Sequence, residues 1–147
     1  MKQFRFPLEQ VRRWRQAQLA VQQARLAGAA ARVTAQQMEL EAARAALRDA
    51  AASVSAEPRG EVLAAWGSYR TRSGHAIGDL ERKLFESRRS FAAELNKTSA
   101  TKRQKELLDR LRDARYADWM RALQNEAEAL AAEQFLSKYS RVRPGPG

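Results

Sequence analysis

Leu19, Leu26, Val33, Leu40, Leu47 and Val54 recur at seven-residue steps, and no other residue class in the chain repeats so regularly. A helix with a fixed heptad stripe carries one narrow apolar edge and must lay it against another helix. That requirement constrains the fold more than any other feature. A companion line of Leu8, Arg15, Gln22, Ala29, Gln36, Ala43 and Ala50 runs beside the seam, small or polar where an oily coiled coil would carry leucine. Small residues let a neighbouring helix approach closely but bury little apolar area, so at about 25 cal/mol per Å² the seam is modestly stabilising. It predicts a slender paired helix rather than a strong oligomer interface.

Composition agrees with long helices. Hydrophobic residues make up 44% of the 147-residue chain, but much of that share is alanine, and charged residues add 30%. Ala, Leu, Glu and Arg at heptad spacing are the material of coiled coils. No run of alternating β-branched residues suggests a strand. Cysteine is absent, which removes disulfides, thiolate catalysis and Cys-based zinc sites. No apolar run approaches the roughly 20 residues that cross a bilayer, and the N-terminus lacks the apolar core of a signal peptide. These features predict a soluble, cytoplasmic chain. Its net charge of +10, carried mostly by arginine, points to an acidic partner or to a solvated helix face.

Taken in order, the chain reads as an all-α, long antiparallel two-helix coiled-coil hairpin in a single domain. Phe4 and Phe6 flank Arg5, and Pro7 suits a first helical turn. The two phenylalanines would staple the start of the helix or pack on the returning one. The first helix is expected over about 7–52, at about 1.5 Å per residue roughly 65–70 Å long. Residues 53–60 (SVSAEPRG) form the expected turn, where Pro58 restricts Glu57 and Gly60 can supply a positive φ. The second helix is expected over about 61–140, starting weakly across Gly67, Gly74 and Gly78 and becoming firm near Asp79. Asn96 to Thr101 is polar and expected to kink or loosen, and 141–147 to be disordered. A turn centred near Glu57 makes facing residues add to about 114, pairing Leu19 with Leu95, Val33 with Leu80 and Leu8 with Leu107. Beyond Leu108 the second helix lacks a partner of matching length yet carries Tyr116, Trp119, Met120, Leu123, Leu130, Phe135 and Leu136. So apolar a segment calls for another chain.

The residues offer little for catalysis. His75 is the only histidine, and a lone histidine is usually structural or exposed. No Ser-His-Asp or Cys-His set can be assembled, and Glu39 with Glu41 or Asp109 with Asp113 look like solvated helix charges. The spacing of Gly67, Gly74 and Gly78 matches no phosphate or dinucleotide loop. A two-helix hairpin offers no enclosed substrate cavity. The expectation is therefore a non-enzymatic protein with no cofactor, no metal and no small-molecule substrate. Nucleic-acid binding has some support in Arg12, Arg13 and Arg15 beside Trp14, and in the clusters Arg82, Lys83, Arg88, Arg89 and Lys102, Arg103, Lys105. Glu81, Glu86, Glu94 and Glu106 interrupt them, so no single-sign face forms and nucleic acid is a secondary expectation.

The opening FRFPLEQVRRWRQAQL, then a long heptad helix, a turn and a longer helix, resembles the flagellar export protein FliJ family and related stalk proteins of type III secretion. Phe4, Phe6, Leu8 and the basic run to Arg15 carry the resemblance, with Trp66, Tyr69, Ile77, Leu80 and Glu81 after the turn. It implies a stalk similar to the axle of rotary ATPases, which binds a hexameric export ATPase and links it to a membrane export gate protein and to export chaperones. Such a chain would be cytoplasmic and peripheral at the inner membrane. By the resemblance, Phe4, Phe6, Arg12, Arg13, Arg15, Arg25, Tyr116, Trp119 and Leu123 would contact the ATPase ring. Trp66, Tyr69, Ile77, Leu80 and Leu84 would face the gate, although simple hairpin packing also accounts for Leu80 and Leu84. Gly74, His75 and Ala76 depart from a family segment that is more aromatic there. A generic coiled-coil adaptor, self-associating through the C-terminal overhang, is the other expectation.

Overall fold

A computed structural model describes residues 3–142. Helix makes up 94% of the described chain, without strands, in two long helices packed against each other as an antiparallel hairpin. Helix α1 spans Glu9–Ala56 and helix α2 spans Gly60–Val142. The packing divides the chain into two compact units, one of Met1–Gln16 with Arg103–Gly147 and the other Ala17–Lys102. Each helix contributes to both.

In the unit Ala17–Lys102, the seam faces inward as its spacing requires. Leu19 and Leu40 are buried, and Leu26, Val33, Leu47 and Val54 are half-buried. Of the companion line, Ala29 is buried while Gln22, Gln36, Ala43 and Ala50 are half-buried, so both heptad lines meet α2. No large side chain among the described residues is fully buried, as expected where only two helices shield each other. Several expectations for this unit change. Ser53 to Ala56 remain helical, which confines the connection to 57–59. Pro58 disfavours helical geometry at Glu57 and ends α1 there, while Leu63 N–H donates to the Arg59 carbonyl at 2.9 Å to start α2. No described glycine has a positive φ, so Gly60 is simply the first residue of α2. The glycine-punctuated stretch 61–78 is regular helix, because each isolated glycine costs only about 1 kcal/mol and 83 residues of continuous hydrogen bonding absorb it.

Asn96 to Thr101 is helical too. Thr98 donates its hydroxyl to the Glu94 carbonyl at 2.7 Å, which satisfies the side chain inside the helix. Thr98 and Thr101 are buried, whereas Leu95 is 43% exposed. Seven-residue steps from Leu84 and Phe91 land on Thr98, so Leu95 belongs to a neighbouring column. This corrects the register. Arg44 meets Glu81 at 2.8 Å, Arg12 meets Asp109 at 3.1 Å and Arg112 meets Glu9 at 3.6 Å, so paired numbers add to 121–125 instead of about 114. Leu107, 63% exposed, is likewise no partner of Leu8.

The unit Met1–Gln16 with Arg103–Gly147 begins with a non-helical strap over residues 3–8. Glu9 N–H donates to the Phe6 carbonyl at 3.1 Å and Arg12 N–H to the Leu8 carbonyl at 2.9 Å, turning the chain into α1 just after Pro7. Glu9 places an acid in the first helical turn, where the helix dipole favours it. α2 runs through Arg141 and Val142, two residues of the expected disordered tail; residues 143–147 lie outside those described.

Candidate functional site

The strap builds the most distinctive feature of the chain. Leaving α1, it lays Phe4 against α2, edge-on to Tyr116 at 5.2 Å between ring centres and tilted on Trp119 at 5.9 Å. Tyr116 and Trp119 are themselves 5.7 Å apart, so three rings form one cluster. Aromatic pairs at such distances each add roughly 0.5–1.5 kcal/mol beyond area burial. Phe6 is buried at 9% exposure beside them. The phenylalanines therefore pack on the returning helix. The strap and α2 together line an open groove of about 900 Å³ among Phe4, Phe6, Leu8, Leu111, Trp119 and Leu123, with Arg5, Arg115 and Glu126 also lining it.

An ion-pair network fastens the strap end of α1 to α2. Arg12 reaches Asp109 at 3.1 Å and Glu9 at 3.2 Å. Arg13 and Arg112 also approach Glu9, and Lys105 approaches Asp109 at 3.2 Å. The hydrogen bond from Arg12 is the main reason the Glu9 carboxyl sits below its ordinary pKa, with the charges of Arg12 and Arg112 and a bond from Arg13 acting in the same direction. The same bond to Glu9, and one to Asp109, raise the Arg12 guanidinium. Two acids thus hold four cations, which makes Arg12 a structural clamp more than an exposed contact. Arg15 is half-buried with its guanidinium 4.7 Å over the Trp14 ring, while Trp14 is 57% exposed.

Past the groove, α2 continues with every residue from 124 to 142 exposed. Leu130, Phe135, Leu136, Tyr139 and Val142 lie in this stretch, and Phe135 stacks on Tyr139 at 6.4 Å. The strap shortens the unpaired overhang expected beyond Leu108, because Phe4 and Phe6 cover α2 as far as Trp119 and Leu123, which are half-buried; Tyr116 remains 46% exposed. Of the ring-contact candidates, the structure gathers Phe4, Phe6, Tyr116, Trp119 and Leu123 in this unit with Arg12, Arg13 and Arg15. Arg25 lies in the other unit, exposed on α1.

The gate candidates belong to the unit Ala17–Lys102. Trp66 and Tyr69 are half-buried with rings 6.0 Å apart, and Ile77 and Leu80 are half-buried in the seam. Leu84 is buried at 5% exposure opposite α1, so hairpin packing accounts for it. Val62 and Leu63, exposed in the first turns of α2, and Met38 and Phe85, both more than 60% exposed, were not singled out from sequence. Arg44, Glu81, Leu40, Leu84, Phe85 and Arg88 line a small groove of about 300 Å³ there. Among the described residues no three His, Cys, Asp or Glu side chains gather as metal ligands, and no helix is long and apolar enough to cross a membrane.

Comparison with protein-family models, with characterised proteins and with solved structures finds no match.

Proposed function

We propose that this chain is a non-enzymatic stalk protein of a flagellar type III export apparatus, coupling a hexameric export ATPase to a membrane export gate and to export chaperones. One observation carries the reading: the unit holding both chain ends displays its large apolar groups. Trp14, Leu107, Tyr116, Leu130, Phe135, Leu136 and Tyr139 are all exposed there. On the overhang they face more than one side, since Leu130 follows the Trp119 and Leu123 column while Phe135, Leu136 and Tyr139 point elsewhere. A helix apolar on several sides suits an enclosing partner such as the lumen of a ring. The F-x-F of the strap packs Phe4 and Phe6 against α2 in the same unit, which supports the family's axle-like end. Trp66 and Tyr69, with Val62 and Leu63, supply the gate-facing part of the proposal.

The test is direct. The purified chain is added to the export ATPase encoded by the same organism, and hydrolysis and complex size are measured. Stimulated hydrolysis with a stable complex supports the proposal, and an inert ATPase with no complex overturns it.

A further inference from the structure

We infer that one flank of the unit Ala17–Lys102 is a binding surface for duplex DNA, gripped through its phosphates without regard to base sequence. This goes beyond the export reading and does not rest on it. In the sequence, Glu81, Glu86 and Glu94 break up the cations of α2. Folding takes two of these acids off the flank. Glu94 follows Leu80 and Ser87 by sevens in the half-buried column that faces α1. Glu81 meets Arg44 at 2.8 Å beside the small groove, on the other flank. On the opposite side of the seam, Lys83, Ser90 and Lys97 form one column of α2, and Arg25, Arg32 and Glu39 form one column of α1. The numbers of Arg25 with Lys97, and of Arg32 with Ser90, add to 122, inside the observed register. The two columns therefore run side by side, with Arg89 on the outer ridge of α2 next to Ser90.

At 1.5 Å per residue, Arg25, Arg32, Arg89 and Lys97 cluster within about 10–12 Å along the helices. All four are exposed, and Arg25, Arg32 and Arg89 make no ion pair among the described residues. Lys97 approaches Glu94 only at 4.0 Å. Glu39 and Glu86 bound the cluster on the side of the turn. A duplex carries about one charge per 1.7 Å, so this length meets about six or seven phosphates. Ser90 and Asn96, exposed between the cations, add phosphate donors. The same flank suits other anions less well. A bilayer-bound helix needs a continuous apolar face beside its cations. Here Leu95 stands on the other flank, and Val21 and Phe85 sit one turn beyond opposite ends of the cluster, on different helices. Single strands are held by free rings that stack on bases, and the exposed ring nearest the cluster, Phe85, already carries the Arg89 guanidinium at 6.0 Å. An acidic protein would need a pocket for an apolar anchor, and the small groove of this unit lies on the other flank.

Fluorescence anisotropy of a short labelled duplex, titrated with the full chain at several salt concentrations, tests the inference. Four phosphate contacts predict a log–log salt slope of about −3.6, a loss of roughly 100-fold in affinity between 50 and 200 mM salt. Arg25→Gln with Arg32→Gln should halve that slope to about −1.8 and weaken binding about tenfold or more at low salt. Arg48→Gln with Arg88→Gln removes the same charge from the other flank and should change affinity less than about threefold. Circular dichroism checks that both variants stay helical, as expected for exposed positions. A duplex left unbound at low salt overturns the inference. So do equal losses in the two variants, which would trace binding to the net charge of +10 alone. Single strands bound as tightly as the duplex, or phosphatidylserine vesicles bound in place of it, overturn it as well.

Discussion

Truncating Leu40 tests the register of the hairpin quantitatively. Leu40 is 4% exposed, the most buried large side chain among the described residues, and it shares a small groove with Leu84, itself 5% exposed. Leu→Ala substitutions in cores cost about 2–5 kcal/mol, more where the surroundings cannot collapse into the space. A two-helix seam has soft walls, so Leu40→Ala and Leu84→Ala should each cost about 2–3 kcal/mol. Because the two share one space, the double variant should depart from additivity by about 0.5–1 kcal/mol. With urea slopes of about 1–3 kcal/mol per M, each single change lowers the midpoint by roughly 1–2 M. The assay is urea unfolding followed by helical circular dichroism. Leu95→Ala and Leu107→Ala are the controls, since the apolar pattern alone would have placed both in the seam. At 43% and 63% exposure they should cost less than about 1 kcal/mol. If Leu95→Ala and Leu107→Ala destabilise as much as Leu40→Ala, the register read from Arg44–Glu81 and Arg12–Asp109 is wrong.

Other outcomes follow from the same packing. A Cβ at Gly67 or Gly74 meets no atom within 4 Å, and both residues are exposed mid-helix, so Gly67→Ala and Gly74→Ala should each stabilise by about 0.5–1 kcal/mol in thermal unfolding. The carbonyl oxygens of Gln22 and Gln36 are buried without a hydrogen-bond partner, so Gln22→Leu and Gln36→Leu should each raise stability by about 1 kcal/mol; a loss in both would mean that hidden partners exist. Glu9 has a depressed carboxyl pKa, so its contribution is complete above the unfolded carboxylate range and disappears as pH falls through the depressed value. Glu9→Gln should therefore flatten the fall in stability below about pH 5, and an unchanged acid slope would remove Glu9 from the clamp.

The heptad steps from Leu19 to Val54 were enough to place both inward lines of α1, because a period of seven admits one buried face. Register was harder to read. Leu84 and Phe91 lead by sevens to Thr98, but leucine at 95 attracts an assignment based on apolarity, whereas Thr98 enters the seam with its hydroxyl donated to the Glu94 carbonyl. The extent of the helices is hard to read from sequence for a similar reason: local penalties at Gly67, Gly74, Gly78 and Asn96 to Thr101 are small beside the gain of propagating a helix already nucleated. At the terminal unit, Phe4, Phe6, Tyr116 and Trp119 stood out by residue type, and packing on the returning helix was one reading of the phenylalanines. Their assembly into a groove was not legible, because it depends on a strap with no periodicity of its own. Neither was the role of Arg12, which looks like part of a basic run until Asp109 is seen within 3.1 Å on the other helix.

If the terminal unit seats in an export ATPase ring, as we propose, the decisive measurement is hydrolysis by that hexamer titrated with the full chain and with a Phe135→Asp, Leu136→Asp variant. The two side chains are 69% and 62% exposed, so the variant keeps its fold while losing the apolar helix end. The wild type should stimulate hydrolysis, and the variant should need at least about tenfold more protein for the same effect, a change of about 1.4 kcal/mol in binding. Equal stimulation by both chains, or none by either, would contradict it.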